Sequence, residues 1–122
     1  VLVGTNNLPK RGKDHAFRGI RAILNRLLRA HPTSKVLLHP VLPRGHVQER
    51  VNALNKELPA LVSELRSSGA MIEIVDCGHT LGTPAAVPSN FDNLLVHPTP
   101  AGYRTLLACL GPAIDRAMAS PP

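Results

Sequence analysis

Apolar residues follow two different spacings along this chain, and each spacing predicts a different element. Apolar positions three or four residues apart mark amphipathic helices, and they recur over residues 14–30, 46–68 and 100–118. Short, nearly continuous apolar runs suit strands that are covered on both faces, and they occur at residues 1–3, 35–39 and 71–76. The predicted order is therefore strand, helix, strand, helix, strand, helix.

Individual residues set the predicted limits of these helices. Asp14 is a typical N-terminal cap for the first helix, Pro59 should bend or interrupt the second, and Pro100 opens the third. The third helix should turn one apolar face towards the core, formed by Tyr103, Leu106, Leu107, Leu110 and Ile114.

Short connections between alternating strands and helices imply a parallel sheet with right-handed crossovers. The predicted fold class is α/β, in a single domain over residues 1–122. Three strands make a small sheet, and the outer edge of the first strand, Val1 to Val3, lies open. An open edge favours pairing with another protein chain or with a missing N-terminal segment.

Charge and aromatic content limit the classes of partner. The chain has 14 Lys and Arg against 8 Asp and Glu, a formal charge of +6. This excess permits contact with nucleic acid but gives it only weak support, because the cations of the first helix also suit a solvated helix face. The aromatic residues Phe17, Phe91 and Tyr103 are too few for the base-stacking platforms of RNA-binding domains.

The cysteines and the apolar runs bear on cofactors and location. Cys77 and Cys109 match no metal-ligand spacing, and we expect both to be reduced and buried. No metal or cofactor is expected from the histidine pattern either. No apolar run reaches the roughly 20 residues of a membrane span, and no stretch resembles a signal peptide. We therefore expect an intracellular location, cytoplasmic or organellar, rather than secretion.

Polar residues follow the predicted strands where ligands bind in open parallel sheets, at the carboxyl ends of the strands. Gly4 to Asn7 follows the first strand, Pro40 to Gly45 follows the second, and His97 lies in the loop after the third. A carboxamide fixed at a strand end can donate a hydrogen bond to a developing oxyanion, and a His at the start of a helix can act as a general base. Asn6 and His97 fit those two roles.

Two of these segments resemble sequence blocks of the SGNH, or GDSL, esterases and lipases. Gly4-Thr5-Asn6-Asn7 is similar to the third block of that family, and His97-Pro98-Thr99-Pro100-Ala101-Gly102-Tyr103 is similar to its final block. Leu42 to Gly45 and Arg50 to Asn55 resemble the catalytic subunits of intracellular platelet-activating-factor acetylhydrolase. The resemblance implies a three-layer α/β/α domain of the flavodoxin-like type, of which this chain is the C-terminal half, with the N-terminal strands absent.

The same resemblance implies roles for the site residues. Asn6 would be the oxyanion-hole carboxamide and His97 the base that activates a serine. The family's triad acid stands three residues before the His, where this chain has Leu94. Asp92 and the more remote Asp76 are the candidate replacements, and a third alternative is that no residue replaces the acid.

The nucleophile block and the glycine block of the family have no counterpart in this chain. The available serines do not stand in a strand-to-helix turn of the required kind; they are Ser34, Ser63, Ser67, Ser68, Ser89 and Ser120. Simpler interpretations also stay open: Asn6 as a turn residue, His97 as a helix-entry residue and Asp92 as a loop cap.

Two functions from different classes follow from these observations. The first is the C-terminal portion of a serine esterase that hydrolyses carboxylic esters, with lipid acyl or acetyl groups as the substrate class and the serine supplied from elsewhere. The second is a catalytically inactive structural or adaptor subunit of a larger assembly. In either case we expect this chain on its own to show no serine hydrolase activity.

Overall fold

The computed structural model describes residues 1–119. The α-helices of this part of the chain are α1 (Leu8–Ala30), α2 (Gln48–Asn55), α3 (Leu58–Ser67) and α4 (Pro100–Ala119). Its strands are β1 (Val36–Leu38) and β2 (Ile72–Ile74). Two short 3-10 helices, Gly78–Leu81 and Pro88–Asn90, lie between β2 and α4.

The two strands form a parallel sheet, as predicted. Val36 lies opposite Ile72 and Leu38 lies opposite Ile74. A parallel pair needs a crossover connection, usually helical, and α2 and α3 provide it here. The α/β class with a small parallel sheet is thus confirmed.

Val1 continues the sheet on the other edge of β1. Its amino group donates to the Leu37 carbonyl at 2.6 Å, and the His39 amide donates to the Val1 carbonyl at 2.8 Å. This alternation is the ladder pattern of parallel strands. The predicted strand over Val1 to Val3 is wrong in extent, however, because the pairing stops there and the side chains of Leu2 and Val3 are exposed.

The predicted helices differ from the observed ones at two places. α1 begins at Leu8 rather than at Asp14, and Gly12, with φ at 77°, interrupts it. The second predicted helix is two helices, because Pro59 stands in the first turn of α3, where its missing amide donor costs nothing. The expectation of an interruption at Pro59 is confirmed.

Buried apolar side chains form two clusters. The larger cluster joins α1, α2 and α3 to the sheet, and Leu24, Leu38 and Leu54 are among its fully buried members. The smaller cluster joins α4 to the segment after β2, and its buried members are Cys77, Leu81, Phe91 and Leu106. α4 therefore packs in a different apolar cluster from α1 to α3.

The buried face of α4 is narrower than the sequence predicted. Leu106 is buried and Leu110 is partly buried, but Tyr103, Leu107 and Ile114 are exposed by 54%, 62% and 42%. The smaller residues Gly102 and Ala113 lie in the buried face instead. An apolar face that nothing covers in residues 1–119 therefore runs along α4.

The two cysteines form a disulfide, so the expectation of reduced thiols is wrong. Cys77 and Cys109 have their Cα atoms 5.8 Å apart and their sulfur atoms bonded at 2.00 Å. The expected burial is confirmed for Cys77, which is fully buried, whereas Cys109 is partly exposed. The sequence alone does not show that these two cysteines, 32 residues apart, are neighbours in the fold. The bond fastens α4 to the carboxyl end of β2.

Two cations of α1 make contacts within the chain. Arg21 donates two hydrogen bonds to the Glu64 carboxylate of α3, at 2.7 and 2.9 Å, and stacks over the Phe17 ring. Lys13 pairs with Glu57. Part of the positive charge therefore links α1 to its neighbouring helix. No helix in residues 1–119 combines the length and the apolar content of a membrane span.

Asn55 holds the loop that follows β1. Its side-chain oxygen accepts the Val41 amide and its side-chain nitrogen donates to the Val41 carbonyl, both at 2.8 Å. The carboxamide thus satisfies both main-chain groups of a buried residue, as a neighbouring strand would. This contact fixes the position of Val41 and of the residues after it.

Replacing Asn55 should therefore destabilise the fold. Asn55→Ala leaves both main-chain groups of Val41 without a partner, and we expect the free energy of unfolding to fall by about 2–4 kcal/mol. Urea denaturation monitored by circular dichroism measures the change. Asn52→Ala, which removes an exposed carboxamide of the same helix, is the control and should cost less than about 1 kcal/mol; equal losses for the two variants would contradict the role of Asn55.

Removing the disulfide should also destabilise the fold. The bond closes a loop with a sequence separation of 32, and loop-closure entropy predicts a loss of about 3–4 kcal/mol for the Cys77→Ala, Cys109→Ala double variant. Equilibrium urea titrations of the wild type and the double variant, both without reductant, measure the difference in the free energy of unfolding. A double variant as stable as the wild type would show that the bond does not constrain the unfolded chain.

Candidate functional site

Three loops at the carboxyl end of the sheet enclose one cleft of about 180 Å3. They are the turn after Val3, the loop after β1 and the loop before α4, so the predicted convergence of these three segments is observed. The walls are mostly apolar, and the lining residues are Leu2, Val3, Thr5, Val41, Leu42, Val96, His97, Pro98 and Tyr103.

The first loop is a tight turn. The Asn7 amide donates to the Gly4 carbonyl at 3.2 Å, and Gly4 has φ at 114°, a conformation that favours glycine. Thr5 lines the cleft. Asn6, the next residue, is exposed and is not one of the lining residues. The structure therefore brings the turn to the cleft through Thr5, and Asn6 is its neighbour in the chain.

The loop before α4 is a short antiparallel hairpin that carries His97. Phe91 and Pro98 form an antiparallel bridge, and the Asp92 amide donates to the His97 carbonyl at 2.8 Å. His97 is exposed and lines the cleft. An imidazole in that position is accessible to a hydroxyl group within the cleft, as a general base must be.

The Asp92 carboxylate organises this hairpin. Its Oδ1 accepts the backbone amides of Val96 at 2.9 Å and of His97 at 3.3 Å. These hydrogen bonds lower the pKa of Asp92, and the bond from Val96 has the largest effect. The charge of the nearby His97 lowers this pKa further. Asp92 is thus close enough to act electrostatically on His97, but its hydrogen bonds go to backbone amides of the hairpin.

The other residues considered for the triad are less favourably placed. Asp76 accepts the Gly78 amide at 3.0 Å in a local turn after β2. The side chain of Leu94, at the family's acid position, is 71% exposed. None of the five serines in residues 1–119 lines the cleft, and Ser120 lies outside the described residues. No group of three or more metal-ligating side chains occurs in this part of the chain.

The helix that follows His97 is fixed at its first turn. The Thr99 hydroxyl donates to the Ser89 carbonyl at 2.6 Å and accepts the Gly102 amide at 3.2 Å, which caps α4. A Cβ atom at Gly102 would lie 2.3 Å from the Asn90 carbonyl oxygen. Only glycine allows this approach, which explains the glycine of the final sequence block.

His39 has a structural role that the sequence did not reveal. It is buried at the end of β1, and its Nε2 accepts the Cys77 amide at 2.9 Å while its Nδ1 lies 2.5 Å from the Pro40 carbonyl. The first contact requires an unprotonated Nε2, so Nδ1 carries the proton. His39 joins the carboxyl ends of the two strands.

The sequence did not indicate a role for Arg44 either. Its Nη1 donates to the Thr5 carbonyl at 2.6 Å and lies 3.4 Å from the Thr5 hydroxyl. The only signal for it in the sequence is its place within the Leu42 to Gly45 stretch. A long-range contact of this kind depends on how the loops pack.

Comparison with known proteins agrees with this geometry. The profile of the GDSL-like lipase/acylhydrolase family matches residues 1–105. No curated protein sequence matches the chain significantly.

Solved structures share the fold at low sequence identity. A carbohydrate esterase family 3 structure from Talaromyces cellulolyticus has a TM-score of 0.80, 22% identity and 98% coverage of this chain. A protein of Streptococcus pneumonia, provisionally described as a platelet activating factor, has a TM-score of 0.76, 21% identity and 93% coverage. An acetyl esterase variant solved with an acetate ion has a TM-score of 0.75, 24% identity and 93% coverage. The chain spans 58%, 57% and 55% of these structures.

The stability of the hairpin should depend on pH through the Asp92 carboxylate. Because its folded pKa is lowered below the ordinary value of 3.8, its stabilising effect is complete above that value and is lost as the pH falls through the lower folded pKa. Asp92→Asn should therefore be less stable than the wild type at neutral pH, and the difference should shrink below about pH 4. Thermal unfolding from pH 2 to pH 7 tests this, and a difference that stays constant with pH would contradict it.

Proposed function

The chain belongs to the GDSL-like lipase/acylhydrolase family, and we propose that it is the C-terminal portion of a serine esterase that hydrolyses carboxylic esters. The observation that carries the proposal is the cleft in which the turn of Gly4 to Asn7 and the exposed His97 meet. His97 lines the cleft, and Asn6, the candidate oxyanion donor, follows the lining residue Thr5 in the chain. A base and an oxyanion donor are two of the parts that acyl transfer requires.

In this mechanism His97 moves protons and Asn6 stabilises negative charge. His97 takes the proton of the serine hydroxyl as the serine oxygen attacks the ester carbonyl, and then gives it to the leaving alcohol. The Asn6 carboxamide donates to the oxyanion of the tetrahedral intermediate. Water, activated by His97 in the same way, then releases the acid from the acyl-serine. Asp92 acts as the triad acid through its charge.

The cleft favours an ester with an apolar acyl group. Its walls are formed mainly by aliphatic side chains such as Leu2, Val41 and Leu42, and its volume is about 180 Å3. An acyl chain in such a cleft leaves water without burying a polar group. The solved acetyl esterase variant with an acetate ion supports a short acyl group, and we propose acetyl or other lipid acyl esters as the substrate class.

The serine and the second oxyanion donor come from an upstream segment or from a second polypeptide. Two surfaces of this chain are suited to bind that segment or polypeptide. The exposed side chains of Leu2 and Val3 border the open edge of the sheet, and the exposed face of α4 presents Leu107 together with Tyr103, which lines the cleft. Burial of these apolar side chains would drive the association, and a strand added beside Val1 to Val3 would bring its own end to the cleft.

A second candidate is an inactive structural or adaptor subunit of the same fold. Leu94 at the acid position, with its side chain exposed, and the binding of the Asp92 carboxylate to backbone amides favour it. The exposed apolar face of α4 serves association equally well in this case. The two functions differ in whether His97 takes part in ester turnover.

The disulfide bears on the compartment. Bonds of this kind form and persist in oxidising surroundings and are rare in a reducing cytosol. We propose that the Cys77–Cys109 bond forms in an oxidising compartment, such as an organelle lumen or the extracellular space. This proposal disfavours the cytosol, which was one of the intracellular locations expected from the sequence.

The esterase is tested on the full-length gene product that carries this chain. We expect hydrolysis of p-nitrophenyl acetate and labelling of one serine outside residues 1–122 by a fluorophosphonate probe. His97→Ala should lower kcat/KM by a factor on the order of 10⁶, and Asn6→Ala by about 10²–10³. His31→Ala, an exposed histidine at the end of α1, is the control and should retain full activity.

The opposite pattern supports the adaptor. A well-folded full-length protein without a labelled serine, and without ester turnover above the His97→Ala background, would reject the esterase. Turnover that survives His97→Ala would reject the role of His97 in the mechanism.

A further inference from the structure

The loop after β1 contacts both of the other loops at the cleft. Arg44 bonds to the turn of Gly4 to Asn7, and its neighbour Gly45 bonds to the His97 hairpin through Leu95. Two consecutive residues therefore connect the segment that carries the oxyanion donor with the segment that carries the base.

The Arg44 contact is directed at the main chain of the turn. Its Nη1 lies 2.6 Å from the Thr5 carbonyl oxygen and 3.4 Å from the Thr5 hydroxyl oxygen. Hydrogen bonds with an ionised donor are stronger than neutral ones, and this one holds the peptide unit directly before Asn6. A shift of Thr5 would therefore move the Asn6 side chain.

The contact of Gly45 with the His97 hairpin is also close. The Gly45 amide donates to the Leu95 carbonyl at 2.8 Å, and a Cβ atom at Gly45 would lie 2.7 Å from the Leu95 Cβ. His46 and Leu95, on the two sides of this contact, have φ of 66° and 55°. Such conformations are unfavourable for residues other than glycine and persist where the surroundings enforce them.

Arg44 is itself anchored to α2. Its backbone amide donates to the Gln48 side-chain oxygen at 2.8 Å, and the Gln48 side-chain nitrogen donates to Asn52 at 2.9 Å. The loop therefore takes its position from a helix of the main apolar cluster rather than from either of the loops that it connects.

We propose that Arg44 is a positioning residue of the site, which sets the distance between the Asn6 carboxamide and the His97 imidazole by holding the Thr5 peptide unit. The proposal rests on the proposed esterase function for its catalytic consequence. Arg44 itself touches neither substrate nor the reacting atoms in this scheme, and its effect on the reaction passes through Asn6.

The first test uses the full-length gene product and two variants. Arg44→Met keeps most of the side-chain length and removes the donor, and should lower kcat by about 10–100-fold, because small displacements of a catalytic group are costly, with KM changed less than threefold. Arg44→Lys retains a charged donor and should recover most of the lost kcat. Arg50→Met is the matched control, because Arg50 also donates to main-chain carbonyls, those of Leu8 and Pro9, away from the cleft; its kcat should stay within twofold of the wild type.

A double-mutant cycle tests whether Arg44 acts through Asn6. If it does, Arg44→Met should lower kcat less than threefold in an Asn6→Ala background, because the group that it positions is already absent. A full 10–100-fold loss in that background would overturn the proposal. So would an Arg44→Met variant with unchanged kcat in the presence of Asn6, or an equal loss in Arg50→Met.

Hydrogen exchange separates this inference from the proposed function. The Asn7 amide donates to Gly4 within the turn, and its exchange should accelerate at least tenfold in Arg44→Met and remain unchanged in Arg50→Met. Accelerated exchange in a protein without His97-dependent activity would reject the esterase and retain the positioning of the turn by Arg44. Unchanged exchange at Asn7 would reject the positioning role whether or not the protein is an esterase.

Discussion

The parallel direction of neighbouring strands is the constraint on which the site depends. Strands that run the same way end at the same edge of a sheet, so the residues that follow them meet there. Val1 pairs with β1, and β1 pairs with β2. The turn of Gly4 to Asn7, the loop after β1 and the hairpin of His97 come together for this reason, although they are far apart in the sequence.

The features predicted correctly from the sequence are those with a local cause. The helical spacing of apolar residues, the interruption at Pro59 and the continuous apolar runs of β1 and β2 all reflect interactions between near neighbours. The sheet direction followed from the order of the elements, and the convergence at the cleft followed from the sheet direction. These steps sufficed to predict that the turn of Gly4 to Asn7 and His97 meet at one cleft, although Thr5 rather than Asn6 is the residue of the turn that lines it.

The features that were missed depend on contacts between distant residues. The disulfide required Cys77 and Cys109 to be neighbours across the fold. Asp92 caps its loop, as one interpretation of the sequence had it, but which amides it binds depends on a hairpin whose shape the spacing of charges does not reveal. The exposed part of α4 has the same apolar spacing as a buried helix face, so the sequence could not tell which part of the stripe meets the core within this chain and which part remains uncovered.

The disulfide has a further consequence for the covalent continuity of the site. The bond joins Cys77, at the end of β2, to Cys109, in the middle of α4, and the chain between them contains the entire His97 hairpin. A protease that cuts a peptide bond within this closed ring yields two fragments that remain one molecule until the sulfur bridge is reduced. The stretch from the second 3-10 helix to the cleft can therefore be nicked without the base and its helix diffusing away.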